Sequence, residues 1–409
     1  MKKQRREIGV TLIALVITII ILIILAGVAI NTLIGDNGII TQAQRAKENT
    51  ELAKIEEEKG LNHLYDELMS EGNITILDKT IEQMKTEGTY VTGNAQLRDS
   101  KGNKVVVPDG FKIAGDSGNN VSEGIVIEDN DKTTDGNGNL RGNQFVWIPV
   151  SNINADGSNQ IVKADGTKVE ITLGRYTFAN DGIETLVQKG ENYAQETVIE
   201  TYYKELSMAR IGNGSTGIDG TNTTARDLNK FIKSVKNNGG YYIARYEASY
   251  KDGVKPYSKI SLTGSTVTTQ IDGKVWNAIN QLDAAKAAKA MYNNRNFATD
   301  LVNSYAWDTA ISYIQKCSND KDYSRQISLN ASMASTGKNG DEVCKINDMA
   351  SNMREWTTEY SSYIGESSAG SATNRGGNAY DTSTYTCYRN YTNANSYYDY
   401  VSFRPILYM

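Results

Sequence analysis

Nucleophilic and metal chemistry call on histidine, cysteine and clustered carboxylates. This 409-residue chain holds one histidine, His63, and three cysteines, Cys317, Cys344 and Cys387. A Ser-His-Asp or Cys-His centre needs a histidine beside its nucleophile. His63 lies in a charged helical stretch near the N-terminal end, which argues against such a centre. A histidine-rich metal site is excluded, and so is a four-cysteine zinc site. The formal net charge of −5 argues against a nucleic-acid-binding surface, so no nucleic-acid partner is expected. Tyrosine stands out instead, with 25 residues against 6 Phe and 4 Trp, and eight of them fall between Tyr380 and Met409. Asn, Ser, Thr and Asp fill most of the gaps. Binding surfaces have this composition, because Tyr gives rigid amphipathic area and small polar residues give adaptable hydrogen bonds. Tyr380, Tyr385, Tyr388, Tyr391, Tyr397, Tyr398 and Tyr400, with Asn393 and Asn395, are the candidate ligand-binding residues. The competing reading is a core of tyrosines with satisfied hydroxyls.

The elements that must position this surface begin at the N-terminus. Lys2, Lys3, Arg5 and Arg6 precede a run without charge from Ile8 to Gly35, enough for a helix spanning ~30 Å of hydrocarbon. Basic residues ahead of the run place the N-terminus in the cytoplasm and the bulk of the chain outside. No Ala-x-Ala cleavage site follows the run. Gly9 followed by Val10-Thr11-Leu12-Ile13 resembles the prepilin cleavage segment of type IV pilins and pseudopilins. The resemblance implies cleavage between Gly9 and Val10, a membrane partner and other pilin-like subunits as partners. The family usually has Glu at the fifth mature position, where this chain has Ala14, and that departure bears on polymerisation. Beyond Gly35-Asp36-Asn37-Gly38, apolar residues recur at helical spacing to about Met69, which predicts an amphipathic stalk helix. The expected organisation is a leader at 1–9, a transmembrane and stalk helix at 10–70, a connecting segment at 71–104 and a domain at 105–409.

Within that domain, apolar runs at Val105–Ile113, Gly124–Glu128 and Gln144–Val150 predict strands separated by Asp-Gly and Asn-Gly turns. Alternation at Lys168–Leu173 predicts a hairpin, and the aromatic run Tyr241–Tyr250 a further strand. A weaker helical pattern covers Ala225–Lys236. Trp276–Asn293 and Val302–Lys316 predict two core helices. The fold class is α+β, with an irregular sheet, two core helices and long loops.

The segment Ile346–Thr357, which ends Asn352-Met353-Arg354-Glu355-Trp356-Thr357, resembles a signature of the formylglycine-generating-enzyme (sulfatase-modifying factor) superfamily. Arg375-Gly376-Gly377 and Ser402-Phe403-Arg404 follow in that family's order and spacing. Phe145–Pro149, Tyr242–Glu247, Asp283–Met291 and Tyr305–Ile314 are similar to its upstream strands and helices. The likeness runs from about Val105 to Met409 and implies a C-type-lectin-like fold. It also implies a structural calcium at Asn352, Met353 and Glu355, since hard oxygen donors suit that ion. Ser351 and Arg354 depart from the family's Gly and Trp there. The alternative is that Glu355 pairs with Arg375 or Arg404 inside the fold. The family's oxidase holds copper between two cysteines five apart, and here Cys387 has Thr382 in the partner's place. One thiolate does not supply the two-sulfur site that Cu(I) prefers. An enzyme is therefore not expected, and no cofactor beyond that calcium. Cys317 and Cys344 either form a disulfide, which an outside location permits, or stay free together with Cys387.

The function expected first is a membrane-anchored, pilin-like surface protein displaying a non-catalytic lectin-like adhesin domain for an extracellular glycan or protein ligand. A minor pilin or pseudopilin of a secretion or pilus apparatus is the alternative. A second alternative follows from the same fold with Asn/Tyr/Ser-rich termini, which the variable proteins of diversity-generating retroelements use.

Overall fold

The computed structural model describes residues 74–409 except 131–132, 135–139, 196, 201, 206–227, 251–266, 293–294, 329–331, 362–370 and 382; before residue 74 it describes helical residues 15–25, 42, 46 and 50. Met1–Gly72 and Asn73–Met409 are separate compact units. In the first, the apolar side chains along 15–25, such as Leu15, Ile20 and Ile23, stand exposed. Among the described residues no helix is long and apolar enough to cross a membrane. The Gly9–Val10 junction, Ala14, His63 and most of the expected helix at 10–70 lie outside the described residues.

The second unit opens with β1 (Ile74–Thr80), α1 (Ile81–Glu87), β2 (Asn94–Arg98) and β3 (Lys104–Val107). Thr80 caps α1 with a reciprocal Thr80/Gln83 capping box, and Gly88, in the left-handed region, ends it. β1 runs parallel to β2, and β2 antiparallel to β3. From Ile74 onward the expected connecting segment is thus folded, and belongs to the same compact unit as 105–409.

Next come β4 (Phe111–Ile113), β5 (Val126–Asp129) and β6 (Gln144–Pro149), then the hairpin of β7 (Gly174–Phe178) and β8 (Glu184–Lys189). Two short strands, β9 (Val198–Ile199) and β10 (Tyr203–Lys204), precede α2 (Leu228–Asn238) and β11 (Gly240–Ala244). They are followed by α3 (Gln281–Ala290), β12 (Ala298–Leu301) and α4 (Ser304–Cys317). The chain closes with β13 (Arg354–Ser361), β14 (Ser371–Arg375), β15 (Arg389–Asn393), β16 (Val401–Phe403) and β17 (Pro405–Tyr408).

Two six-stranded sheets result, an α+β architecture. One has the order β12-β17-β11-β6-β5-β4, so the C-terminal strand lies inside it. The other has the order β9-β10-β13-β14-β15, with β16 parallel to β13. β6 is apolar on both faces because both are covered, and Trp147 packs against Tyr242 of β11 at 4.9 Å. α4 is buried nearly all round, capped by the Asn303 side chain on the Ala306 N–H. Trp147, Trp276, Trp307 and Trp356 are all fully buried.

Two predicted elements are shorter than their patterns. The aromatic run Tyr241–Tyr250 leaves the sheet after Ala244 and pairs again only at Ser249–Tyr250. Arg245 turns outward there to Asp116 and Glu342. The helix expected from Trp276 starts at Gln281, since the Trp276 N–H bonds the Ala248 carbonyl and Ala278 is left-handed at φ 52°.

Candidate ligand-binding face

Buried ion pairs hold the C-terminal strands in place. On β13, Glu355 faces inward and accepts from Arg404 Nε at 2.9 Å and Nη2 at 2.6 Å. Arg404 also donates to the Ala244 and Asn347 carbonyls, both at 2.8 Å, so each of its three nitrogens has an acceptor. Of the two expected partners of Glu355, the structure selects Arg404. Arg375 lies opposite Glu355 in the ladder but reaches Asp308 of α4 at 2.6 Å. Arg389 reaches Asp308 at 2.5 Å and Glu359 at 3.2 Å, and Arg175 meets Glu359 at 2.7 Å. Burial pushes Glu359 up, but Arg389, Arg175 and Arg375 together hold it down at about 2.

The three residues of the expected calcium site are adjacent, and the Asn352 carbonyl and side chain and the Glu355 carboxylate already have protein partners. Asn352 accepts from the Ala334 N–H at 2.9 Å and donates to Glu247 at 2.5 Å. The Met353 N–H donates to Glu247 at 2.9 Å, and the Glu355 carboxylate is taken by Arg404. A cation bound through the Glu355 carboxylate would have to displace Arg404 from it, and no chemistry is derived through such an ion. All three cysteines are free, which selects the free-thiol alternative. Burial raises the Cys344 thiol to about 12 and lifts those of Cys317 and Cys387 as well. Thr382 lies outside the described residues.

The tyrosines divide cleanly. Tyr241, Tyr242, Tyr246, Tyr305 and Tyr313 are fully buried, as is Tyr408 nearly. The seven candidates are not: Tyr380 is 59% exposed, Tyr397 is 52% exposed and the others are half-buried. Four of them and Arg354 make one continuous group. Arg354 stands over the Tyr388 ring at 5.4 Å and the Tyr400 ring at 5.8 Å. Tyr388 packs edge-on against Tyr385 at 6.2 Å, and Arg325 covers Tyr385 at 4.8 Å. Tyr400 packs against Tyr398 at 5.3 Å, and Tyr398 against buried Trp356 at 6.1 Å. Tyr380 joins through its neighbour Asp381, which pairs with Arg354 at 3.0 Å. The Ser383 hydroxyl and N–H, with Arg354, hold Asp381 below the usual carboxylate range.

The remaining candidates lie in other groups. Tyr391 packs edge-on against Tyr202 at 5.6 Å. Tyr397 donates to Asp283 of α3 at 3.3 Å. Asn393 accepts from the Asn395 N–H at 2.9 Å, so these two shape the turn after β15. Sequence reasoning missed Arg354, Asp381 and Arg325 as parts of the face. The available signal was strand alternation: with Glu355 turned inward, its neighbour Arg354 must turn to the opposite side.

No protein-family model matches the chain, and no curated protein matches it. Solved structures similar to it include CarF, at 12% identity and TM-score 0.30 over 42% of this chain and 87% of that one. Treponema denticola variable protein 1 is similar at 13% identity and TM-score 0.29, over 42% of this chain and 85% of that one. The P3c variant of the major tropism determinant covers 78% of this chain and 81% of its own, at 11% identity and TM-score 0.26.

Proposed function

We propose that the chain is a membrane-anchored, pilin-like surface protein whose 73–409 unit is a non-catalytic, lectin-like ligand-binding domain. The observation that carries this reading is the tyrosine face. Tyr385, Tyr388, Tyr398 and Tyr400 lie half-buried around Arg354, while the core tyrosines are shut away. Rings held against a rigid strand lose little entropy when a ligand covers them. The thiols of buried Cys317 and half-buried Cys344 are held toward the protonated form, which is a poor nucleophile, and this supports a role without chemistry. The exposed apolar side chains at 15–25 support an anchor, because such a surface needs lipid or neighbouring helices to cover it. The same exposed helix favours a second reading, a minor pilin subunit that packs with others.

Cells displaying the chain with Tyr385, Tyr388 and Tyr400 changed together to alanine should lose binding to partner cells and to arrayed glycans and proteins. Their purified chain should stay folded at the assay temperature, with a Tm lowered only by the packing that these half-buried rings lose. Undiminished binding would sink the ligand-binding reading. N-terminal sequencing of the chain from cells tests the anchor, the expected first residue being Val10.

A further inference from the structure

Resting on that reading of the face, we infer that its partner is a protein, and that an acidic side chain of the partner takes the place of Asp381 on Arg354. Arg354 is only 8% exposed, and a guanidinium has five N–H donors. Among the described residues one side-chain donor of Arg354, on Nη2, meets an acceptor, Asp381 Oδ2 at 3.0 Å. Its Nε is buried and has no partner. The other buried arginines are better satisfied: Arg404 and Arg389 bond all three of their nitrogens, and Arg175, Arg245 and Arg375 each bond two and leave one without a hydrogen-bond partner. Arg354 is left with a single-pronged contact, although arginine binds carboxylates best through two parallel bonds.

Asp381 has the features of a replaceable occupant. It is half-exposed and lies on a surface turn. Its other oxygen accepts from the Ser383 N–H at 3.0 Å and hydroxyl at 2.6 Å, so the turn keeps its own bonds when Oδ2 departs. The surroundings favour a protein over a sugar. Ile327, bridged to Tyr385, and Met333, whose sulfur meets the Asn277 amide that also bonds the Asp399 carbonyl between Tyr398 and Tyr400, add exposed apolar side chains to the tyrosines. Tyr, Met and Arg are enriched in the centres of protein interfaces, where buried arginines are frequent hot spots. The partner's carboxylate would lie among aromatic or apolar residues that cover this rim.

The test selects a random-peptide phage library on the immobilised full-length chain. Enriched peptides should carry Asp or Glu flanked by aromatic or apolar residues. Arg354→Lys keeps the charge but loses the fork, and should weaken their binding roughly tenfold or more. Asp381→Asn removes the internal competitor and should tighten binding several-fold, an effect that a purely structural ion pair would not produce. This second variant leaves the core untouched, so the test stands even if Arg354→Lys fails to fold. Peptides without acidic residues, unchanged binding by Arg354→Lys, or weaker binding by Asp381→Asn would each overturn the inference while leaving the binding face intact. Competition by acidic glycans in place of peptides would also overturn it. If the wild type selects no more phage than the triple tyrosine variant, the binding face itself fails and this inference with it.

Discussion

At the scale of single residues, the buried and the exposed ion pairs of this protein predict different sensitivities. Asp308 accepts from Arg375, from Arg389 and from the Tyr176 N–H at 2.9 Å, all buried. Removing one partner of a buried pair leaves an uncompensated charge, which costs about 3–5 kcal/mol. Asp308→Ala should therefore lower the unfolding free energy by about that amount in urea titrations. Lys79→Ala, which breaks the exposed 2.7 Å pair with Glu87, should leave the midpoint unchanged. A small effect of Asp308→Ala would mean that the buried network is not what fixes β14 and β15 on α4. Part of this was legible in the sequence. Glu355 beside Trp356 pointed to a buried pair, and Arg404 was one of the two partners it suggested. Asp308, a lone charge in the apolar helix SYAWDTAISYI, carried the same signal. Its partners were not legible, because Arg375 and Arg389 approach from strands far along the chain, and only the ladder register brings them there.

At the scale of elements, glycines show where strands and loops meet too closely for a side chain. A Cβ at Gly377 would lie 2.1 Å from the Ala350 carbonyl oxygen, and one at Gly376, where φ is +88°, 2.7 Å from that of Met349. The loop before β13 is thus pressed against the end of β14, which aligns Arg354 with the turn that carries Asp381. Gly377→Ala should cost about 3 kcal/mol through this overlap. Gly157→Ala, left-handed but open, should cost only about 1 kcal/mol. Equal losses in thermal melts would refute the close contact. Strongly patterned elements were readable: Gln144–Pro149 and Ser304–Cys317 lie where apolar periodicity put them. The β1 and β2 region was not, since β1 buries Ile74 and leaves most of its length exposed without the alternation that marks a strand, whereas β3 lies in the Val105–Ile113 run. The early start predicted for α3 failed for a tertiary reason, the Trp276 to Ala248 bond, which no local pattern encodes.

At the scale of the whole unit, the placement of charge predicts how stability varies with pH. Glu247, Asp341 and Asp348 cluster near Arg404, and burial raises all three carboxyls. For Asp348 burial and its neighbour Asp341 lift the value to about 8, and one of its oxygens has no partner. Burial likewise lifts Glu205 to about 7, although it accepts from the Ser304 N–H and the Thr358 hydroxyl, both at 2.8 Å. A carboxyl whose pKa is higher folded than unfolded binds more protons in the native state between those two values. Its contribution is present in full below the unfolded value, near 4, and is lost as pH rises through the folded value. The depressed carboxyls, Glu359, Asp381 and Asp156, act oppositely, but they titrate below about pH 4.5. Between about pH 5 and pH 8 the raised group therefore dominates, and Tm should fall by several degrees as pH rises across that window. Asp348→Asn removes a large part of that slope. Asparagine also suits the left-handed backbone at this position, where φ is 66°. The variant should melt higher than wild type at pH 8 and about equally at pH 5, with a flatter profile between. A wild-type Tm that climbs from pH 5 to pH 8 would mean that these carboxyls are ionised in the folded protein, held by a cation or by water that Arg404 alone does not replace.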